Sequence, residues 1–276
     1  MGVGVAMEVG AGPPPAVVEA FGAAGEPERL PGGQGVTWRV GDVVLKSSDG
    51  AELTDWRNGV LASLPVGETI RVPRPLRTHA GSWLAQGWEA TRFVAGDADP
   101  ARIDDVVRAG QAFHDAVAAV RRPAFLAVRR DPWSYGDRVA AAELPIAGCR
   151  ATMRLLNPLA EARRPVRLPA QIVHGDLAGN VLFADGLPPA VIDWSPYWRP
   201  PSWAAAVAVV DALCWYGAPP DVVHRWSHLP EWRQMLIRAL IYRIATREAM
   251  FGVDGPAHEP NEAYEPVMVS VLGELR

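Results

Sequence analysis

Three oxygen-bearing side chains stand at the tips of short apolar runs in the second half of the sequence. Ile172-Val173 leads into His174-Gly175-Asp176-Leu177-Ala178-Gly179-Asn180, and Val181-Leu182-Phe183 follows at once. Thirteen residues beyond Asn180, another apolar run, Val191-Ile192, ends in Asp193-Trp194. Apolar runs of this length bounded by turn residues read as buried strands, so Asp176, Asn180 and Asp193 should project from adjacent strand ends. Magnesium takes hard oxygen ligands, commonly one or two protein side chains completed by phosphates and water. A further carboxylate beside an attacking hydroxyl can orient it and accept its proton. The set therefore suits metal-assisted phosphoryl transfer to a hydroxyl.

These residues resemble the aminoglycoside phosphotransferase and choline kinase family, relatives of the protein kinases, which carries a His-Gly-Asp…Asn loop followed by Ile-Asp-Trp. The resemblance takes in the glycine-rich Pro31-Gly32-Gly33-Gln34-Gly35-Val36, Lys46 after Val43-Val44-Leu45, Phe93-Val94-Ala95-Gly96 and Ala112-Phe113-His114. It spans roughly Leu30 to Tyr216. It implies that Asp176 is the catalytic base or orienting acid and that Asn180 and Asp193 hold Mg2+. ATP or GTP would be the co-substrate, and the acceptor a small-molecule hydroxyl. Lys46 would contact the α- and β-phosphates, with Gly32, Gly33 and Gly35 letting backbone amides approach phosphate oxygens. Backbone groups around Thr91, Arg92 and Phe93 would bind the base. His174 would brace the loop.

The acidic partner expected for Lys46 lies on the following helix. Leu53, Trp56, Val60 and Leu64 fall at helical spacing, Glu52 borders that face, and Asp55 points nearly opposite it. Glu52 is the choice and Asp55 the second.

Two departures from the family are visible. The step from Asp176 to Asn180 is one residue shorter than is typical there. The stretch Ser195-Pro196-Tyr197-Trp198-Arg199-Pro200-Pro201 also lacks the acid that often follows Ile-Asp-Trp. The second argues against carrying aminoglycosides over as the acceptor. Together they motivate an alternative, a kinase-fold module that binds nucleotide without turnover. A protein kinase is disfavoured, since no Ala-Pro-Glu segment or long activation loop follows Asp193.

The elements that must position these groups come in two blocks. Ala16–Ala24 reads as a short helix. Two β-prone runs then meet at Gly41-Asp42, a hairpin signal, and Ala51–Leu64 reads as a helix capped by Ser48 or Asp49. Ile70–Leu76 and Ser82–Val94 are extended, the prolines of Arg71–Pro75 keeping the first at a sheet edge. After Gly96 helices dominate, at Ile103–Val120, Trp133–Ala142, Trp203–Tyr216 and Glu231–Met250. Short strands fall at Gln171–Val173, Val181–Ala184 and Ala190–Asp193. The fold class is α+β, protein-kinase-like, with a small β-rich N-lobe over residues 1–92 and a larger helical C-lobe over 93–276.

The bulk numbers fit a soluble, cytoplasmic enzyme. The chain has 276 residues, is 49% apolar and carries a net charge of −4, so no general attraction to nucleic acid or anionic membrane is expected. No apolar run approaches the roughly 20 residues that span a bilayer, and the first residues lack the pattern of a signal peptide. Cys149 and Cys214 have no metal-ligand spacing and read as buried free thiols. Trp194, Trp198, Trp203, Trp215, Tyr216 and Trp226 make an aromatic region in which core packing explains most rings. One or two could wall an acceptor pocket. The pairs Arg121-Arg122, Arg129-Arg130 and Arg163-Arg164 read as solvated surface, and the row Arg233, Arg238, Arg243 and Arg247 as a solvated and salt-bridged set rather than an anion site.

Overall fold

The computed structural model describes residues 12–30, 36–65, 67–251 and 260–273. Its chain divides into two compact units, Met1–Gly96 and Asp97–Arg276. The glycines expected to cover phosphate, Gly32, Gly33 and Gly35, lie outside the described residues.

The first unit opens with helix α1 (Pro15–Ala20), followed by strands β1 (Glu28–Arg29), β2 (Thr37–Val40) and β3 (Val43–Ser47). Helix α2 (Ala51–Ser63) and strands β4 (Pro75–Leu76) and β5 (Trp88–Arg92) complete it. The strands form one antiparallel sheet in the order β1-β2-β3-β5-β4. The β2–β3 hairpin turns at Gly41-Asp42 as its sequence demands, and proline-bearing β4 takes the edge. Val40, Val43, Leu45, Trp88 and Ala90 bury one face of the sheet against Val17 of α1 and Phe21, which follows that helix.

Helix α2 lies where the sequence placed it but presents a different face. The residues it buries are Thr54, Arg57, Asn58 and Leu61, whereas Leu53, Trp56 and Val60 are only partly covered. The reason is polar. Glu89 on β5 is 5% exposed and receives Arg57 Nη2 together with Asn58 Nδ2, the latter at 3.1 Å. A buried carboxylate must be paired and hydrogen-bonded, and satisfying it turns α2 away from its apolar stripe. No side chain caps the helix at its Gly50 N-cap. Ser48 Oγ instead meets Thr54 Oγ1 at 2.8 Å and accepts from Gly50 N.

The second unit begins with β6 (Asp97–Ala98), α3 (Ile103–Ala116), α4 (Phe125–Val128), α5 (Pro132–Ala140) and α6 (Arg150–Ala162). Four strands follow: β7 (Gln171–His174), β8 (Val181–Ala184), β9 (Leu187–Val191) and β10 (Pro196–Arg199). Helices α7 (Pro201–Trp215), α8 (Val222–Arg225), α9 (Trp232–Phe251) and α10 (Pro260–Gly273) close the chain. The strands make a β10–β7 ribbon and a three-stranded β6-β8-β9 sheet.

Helix α9 is the axis of this unit, buried continuously from Met235 to Ala245 except at Arg238 and packed against α5, α6, α7 and α10. The alanines of α7 (Ala204, Ala205, Ala206 and Ala208) are all buried. Such small side chains let neighbouring helices approach closely. Helices α6 and α10 and strand β10 were not anticipated from the sequence. Each of the two helices carries an internal proline, Pro158 and Pro266, which reads as a break until packing overrides it. Both cysteines are free and only partly buried, less covered than expected. Among the described residues, no helix is long and apolar enough to cross a membrane.

Candidate active site

The loop from His174 to Asn180 is held by bonds at both ends and from within. The His174 ring accepts from Asp176 N through Nδ1 at 3.2 Å, so Nε2 carries the proton and donates to the Ile192 carbonyl at 3.0 Å. The backbone N–H of His174 in turn donates to His114 Nε2 at 3.1 Å. Burial, and then the neighbouring His174, bring the His114 pKa down to about 3. Two neutral imidazoles thus tie α3 and β7 to the end of β9, and His174 is a brace. Trp194 Nε1 donates to the Val173 carbonyl at 3.3 Å, fastening the segment after Asp193 onto β7.

Gly175 has no side chain because there is no room for one. A Cβ there would lie 2.3 Å from the Tyr197 ring, and Gly175 N donates to the Ser195 carbonyl at 3.0 Å. The shortened loop closes through Gly179, whose φ of +82° is a conformation that favours glycine. Asn180 then donates its side-chain Nδ2 to the Asp176 carbonyl at 2.7 Å and lies 3.4 Å from Asp176 Oδ2. That bond leaves Oδ1 as the outward group of the amide, a hard oxygen as a magnesium site requires.

The β8–β9 ladder brings Asn180 next to Asp193. Val181 pairs with Val191, and Ile192 N donates to the Asn180 carbonyl at 2.9 Å. Asp193 is exposed and has a φ of +48°, an uncommon conformation for a residue with a side chain, of the kind that clusters at functional sites. The donor set, one amide oxygen and one carboxylate with Asp176 alongside, fits a magnesium ion completed by phosphates.

Asp176 is gripped from behind. Arg243 of α9 donates Nη2 to Asp176 Oδ1 at 2.7 Å, and Nε and Nη2 to Asp211 of α7 at 2.8 and 2.5 Å. Arg243 and Asp211 are 6% and 1% exposed, while the Asp176 side chain is 47% exposed. Burial works against the charge on Arg243, but Asp211, Tyr242 and Asp176 outweigh it and hold its pKa well above the ordinary arginine value. Arg243 is thus salt-bridged as expected, but buried rather than solvated. The guanidinium also lies 5.4 Å from the Trp215 ring. Trp215 and Tyr216 are 46% and 44% exposed, and the Tyr216 hydroxyl lies 3.5 Å from where a Cβ on Gly179 would sit. Trp194, Trp203 and Trp226 are core.

In the first unit, Lys46 sits on β3 opposite Glu89 of β5, and its Nζ is 3.9 Å from Asp49 Oδ2. Arg57 Nη1 approaches the same Asp49 carboxylate at 3.6 Å. Glu52 is exposed in the first turn of α2 and forms no ion pair among the described residues. The Lys46–Glu52 pair is thus corrected. The turn of α2 that serves Glu89 points Glu52 to solvent, and a loop acid stands by the lysine. Asp55 is exposed too. At the segment expected to meet a base, Arg92 N donates to the Arg74 carbonyl and Phe93 N to the Asp42 carbonyl, both at 2.8 Å. Those two donors are spent inside the unit.

Arg243 and Asp211 are the site residues that sequence reasoning missed. Their signal was present: one lone acid in the apolar run Val209-Val210-Asp211-Ala212-Leu213, and one lone base in Ile241-Tyr242-Arg243-Ile244-Ala245. Opposite charges isolated in two apolar helices need each other.

Residues 29–201 match the model of the phosphotransferase enzyme family. A thermostable mutant of aminoglycoside phosphotransferase APH(4)-Ia, solved in ternary complex with AMP-PNP and hygromycin B, superposes with a TM-score of 0.58 at 15% identity, covering 94% of this chain and 98% of that one. An aminoglycoside phosphotransferase from Alicyclobacillus acidocaldarius gives 0.58 at 14% identity, covering 98% and 96%. Choline kinase LicA from Streptococcus pneumoniae gives 0.53 at 10% identity, covering 91% and 94%. No curated protein matched by sequence. At these identities the structural likeness speaks for the fold, a protein-kinase-like one.

Proposed function

Because the chain belongs to the phosphotransferase enzyme family, we propose that it transfers the γ-phosphoryl group of ATP to a hydroxyl of a small molecule, with Mg2+ bound by Asn180 and Asp193. The observation that carries this reading is the arrangement of Asp176, Asn180 and Asp193 at adjoining strand ends, with Asp176 held at one oxygen by Arg243. When bound, the metal supplies charge neutralisation at the phosphates. Asp176 orients the acceptor hydroxyl and accepts its proton through Oδ2. Lys46 binds phosphate oxygens, and His174 with His114 keeps the loop in place. Catalysis by such parts is mostly positioning.

Trp215 and Tyr216 wall the acceptor side, offering aromatic faces to a sugar or ring. Asp211 is already spent on Arg243, which removes one acid that a polycationic acceptor would use. The test is transfer of labelled phosphate from ATP, and separately from GTP, into a pool of small alcohols, with Asp176→Asn as the control. A nucleotide-binding module without turnover is the second reading, favoured by the ion pair that already occupies Asp176. Magnesium-dependent nucleotide binding with no transfer to any acceptor and no hydrolysis would select it.

A further inference from the structure

Four arginines, Arg163, Arg164, Arg199 and Arg238, border a cavity of about 610 Å³ in the second unit, lined also by Trp198, Leu168 and Met235. It lies at the end of the β7–β10 ribbon remote from the catalytic loop. Arg199 pairs with Gln171 there, while His174 and Pro196 pair at the loop end. Three residue steps of about 3.3 Å separate the two ends by roughly 10 Å.

The charges around this cavity do not balance. Arg199 is neutralised by Asp137, at 2.7 and 2.9 Å, and by Glu143 at 3.1 Å. Arg163 donates Nη1 to the carbonyls of Val139 and Ala140, at 2.6 and 3.4 Å, at the end of α5. Arg238 donates to the Gln234 carbonyl and amide oxygens and to the Arg164 carbonyl. Among the described residues, neither Arg163 nor Arg238 has a carboxylate within ion-pair distance. Capping a helix end accounts for the placement of Arg163. It does not account for two uncompensated guanidinium groups beside two further arginines on one cavity. Burial, then the nearby Arg163 with Arg199 also contributing, lowers the Arg238 pKa, against a smaller pull from Glu231. A guanidinium has five N–H donors, so Arg163 Nε and Nη2 and Arg238 Nε are still available to an acceptor.

We infer that this cavity is a second ligand site, taking a small molecule that joins a phosphate or carboxylate to a flat apolar body. Arg163 and Arg238 bind the anion, and the face of Trp198 with Leu168 and Met235 receives the body. The volume falls in the range of small-molecule sites, about 300–1,000 Å³, and far exceeds what an inorganic anion fills. This inference does not depend on the transfer reaction.

The test is calorimetric titration of 1-naphthyl phosphate, and separately of 1-naphthoate, into the full chain saturated with Mg2+ and AMP-PNP. At least one probe is expected to bind at a single site, and Arg238→Gln to weaken it about tenfold or more with nucleotide affinity unchanged. Ala170→Glu adds a carboxylate to the cavity lining without removing a side-chain bond, and should weaken binding likewise. It decides the matter if Arg238→Gln does not fold. The comparison of the two probes separates phosphate from carboxylate recognition. Absence of binding by both probes, or binding indifferent to both substitutions, would overturn the inference.

Discussion

Arg243 reaches across the second unit to hold Asp176 by one oxygen, at 2.7 Å. The loop carboxylate is therefore fixed in direction, and Oδ2 is the oxygen that the guanidinium leaves uncovered. Asp176→Asn should leave nucleotide affinity near that of the wild type and cut transfer between about a hundredfold and ten-thousandfold. Single-turnover transfer alongside nucleotide titration measures both. An Asn variant with ordinary turnover removes Asp176 from its role.

Arg243→Met leaves Asp211 buried without its partner and should cost about 3–5 kcal/mol of stability, read by denaturant titration. Arg243→Lys keeps the charge without the planar fork. It should fold and bind nucleotide normally with a reduced kcat. Equal losses of kcat and nucleotide affinity would mark Arg243 as merely structural.

Removing Asp193 should abolish the dependence of nucleotide affinity on magnesium, and Asn180→Ala should reduce it less, since Asn180 supplies a neutral oxygen. Calorimetry with and without Mg2+ gives the answer. An Asp193→Ala chain with the metal dependence of the wild type would exclude this site.

The correction on helix α2 has its own test. Lys46→Met should weaken catalysis, whereas Glu52→Gln should be nearly silent because Glu52 is exposed. Breaking the buried Arg57–Glu89 pair by Glu89→Gln should instead destabilise the chain by about 3–5 kcal/mol. Strong loss of activity in Glu52→Gln with the fold intact would restore the original pair.

His114 gives the acid behaviour a direction. Burial brings its pKa in the fold down to about 3, against an ordinary value of 6.5. As pH falls, the unfolded chain takes up this proton first. The contribution of His114 is therefore present above about pH 6.5 and lost progressively toward pH 3. Stability measured from pH 7 to 4 should fall, and His114→Gln should make that slope shallower by up to one proton. An unchanged slope would show that His114 does not govern it.

The fold class and the loop were legible because they rest on local signals. Gly41-Asp42 dictates its own hairpin, and apolar runs ending in polar tips at Asp176 and Asp193 locate the strands. What escaped was set by partners distant in sequence. Glu89 turns α2 through Arg57, 32 residues away. Asp211 draws in Arg243 over the same separation, and Arg243 meets Asp176 across 67. Pro158 hid α6 and Pro266 hid α10, since a proline inside a helix is tolerated only where packing compensates. No periodicity within one segment carries such information.

The grip of α9 on the loop also bears on how the chain is made. Asp176 leaves the ribosome 67 residues before Arg243, and Tyr197, which covers Gly175, waits for the Tyr242 hydroxyl at 2.8 Å. Every residue that matches the family model, 29–201, is already synthesised by then. A nascent chain stalled before α9 would carry the whole recognisable motif with its carboxylate unaimed. The family signature and the contacts that aim its carboxylate are thus encoded in separate stretches of the chain, residues 29–201 and helix α9.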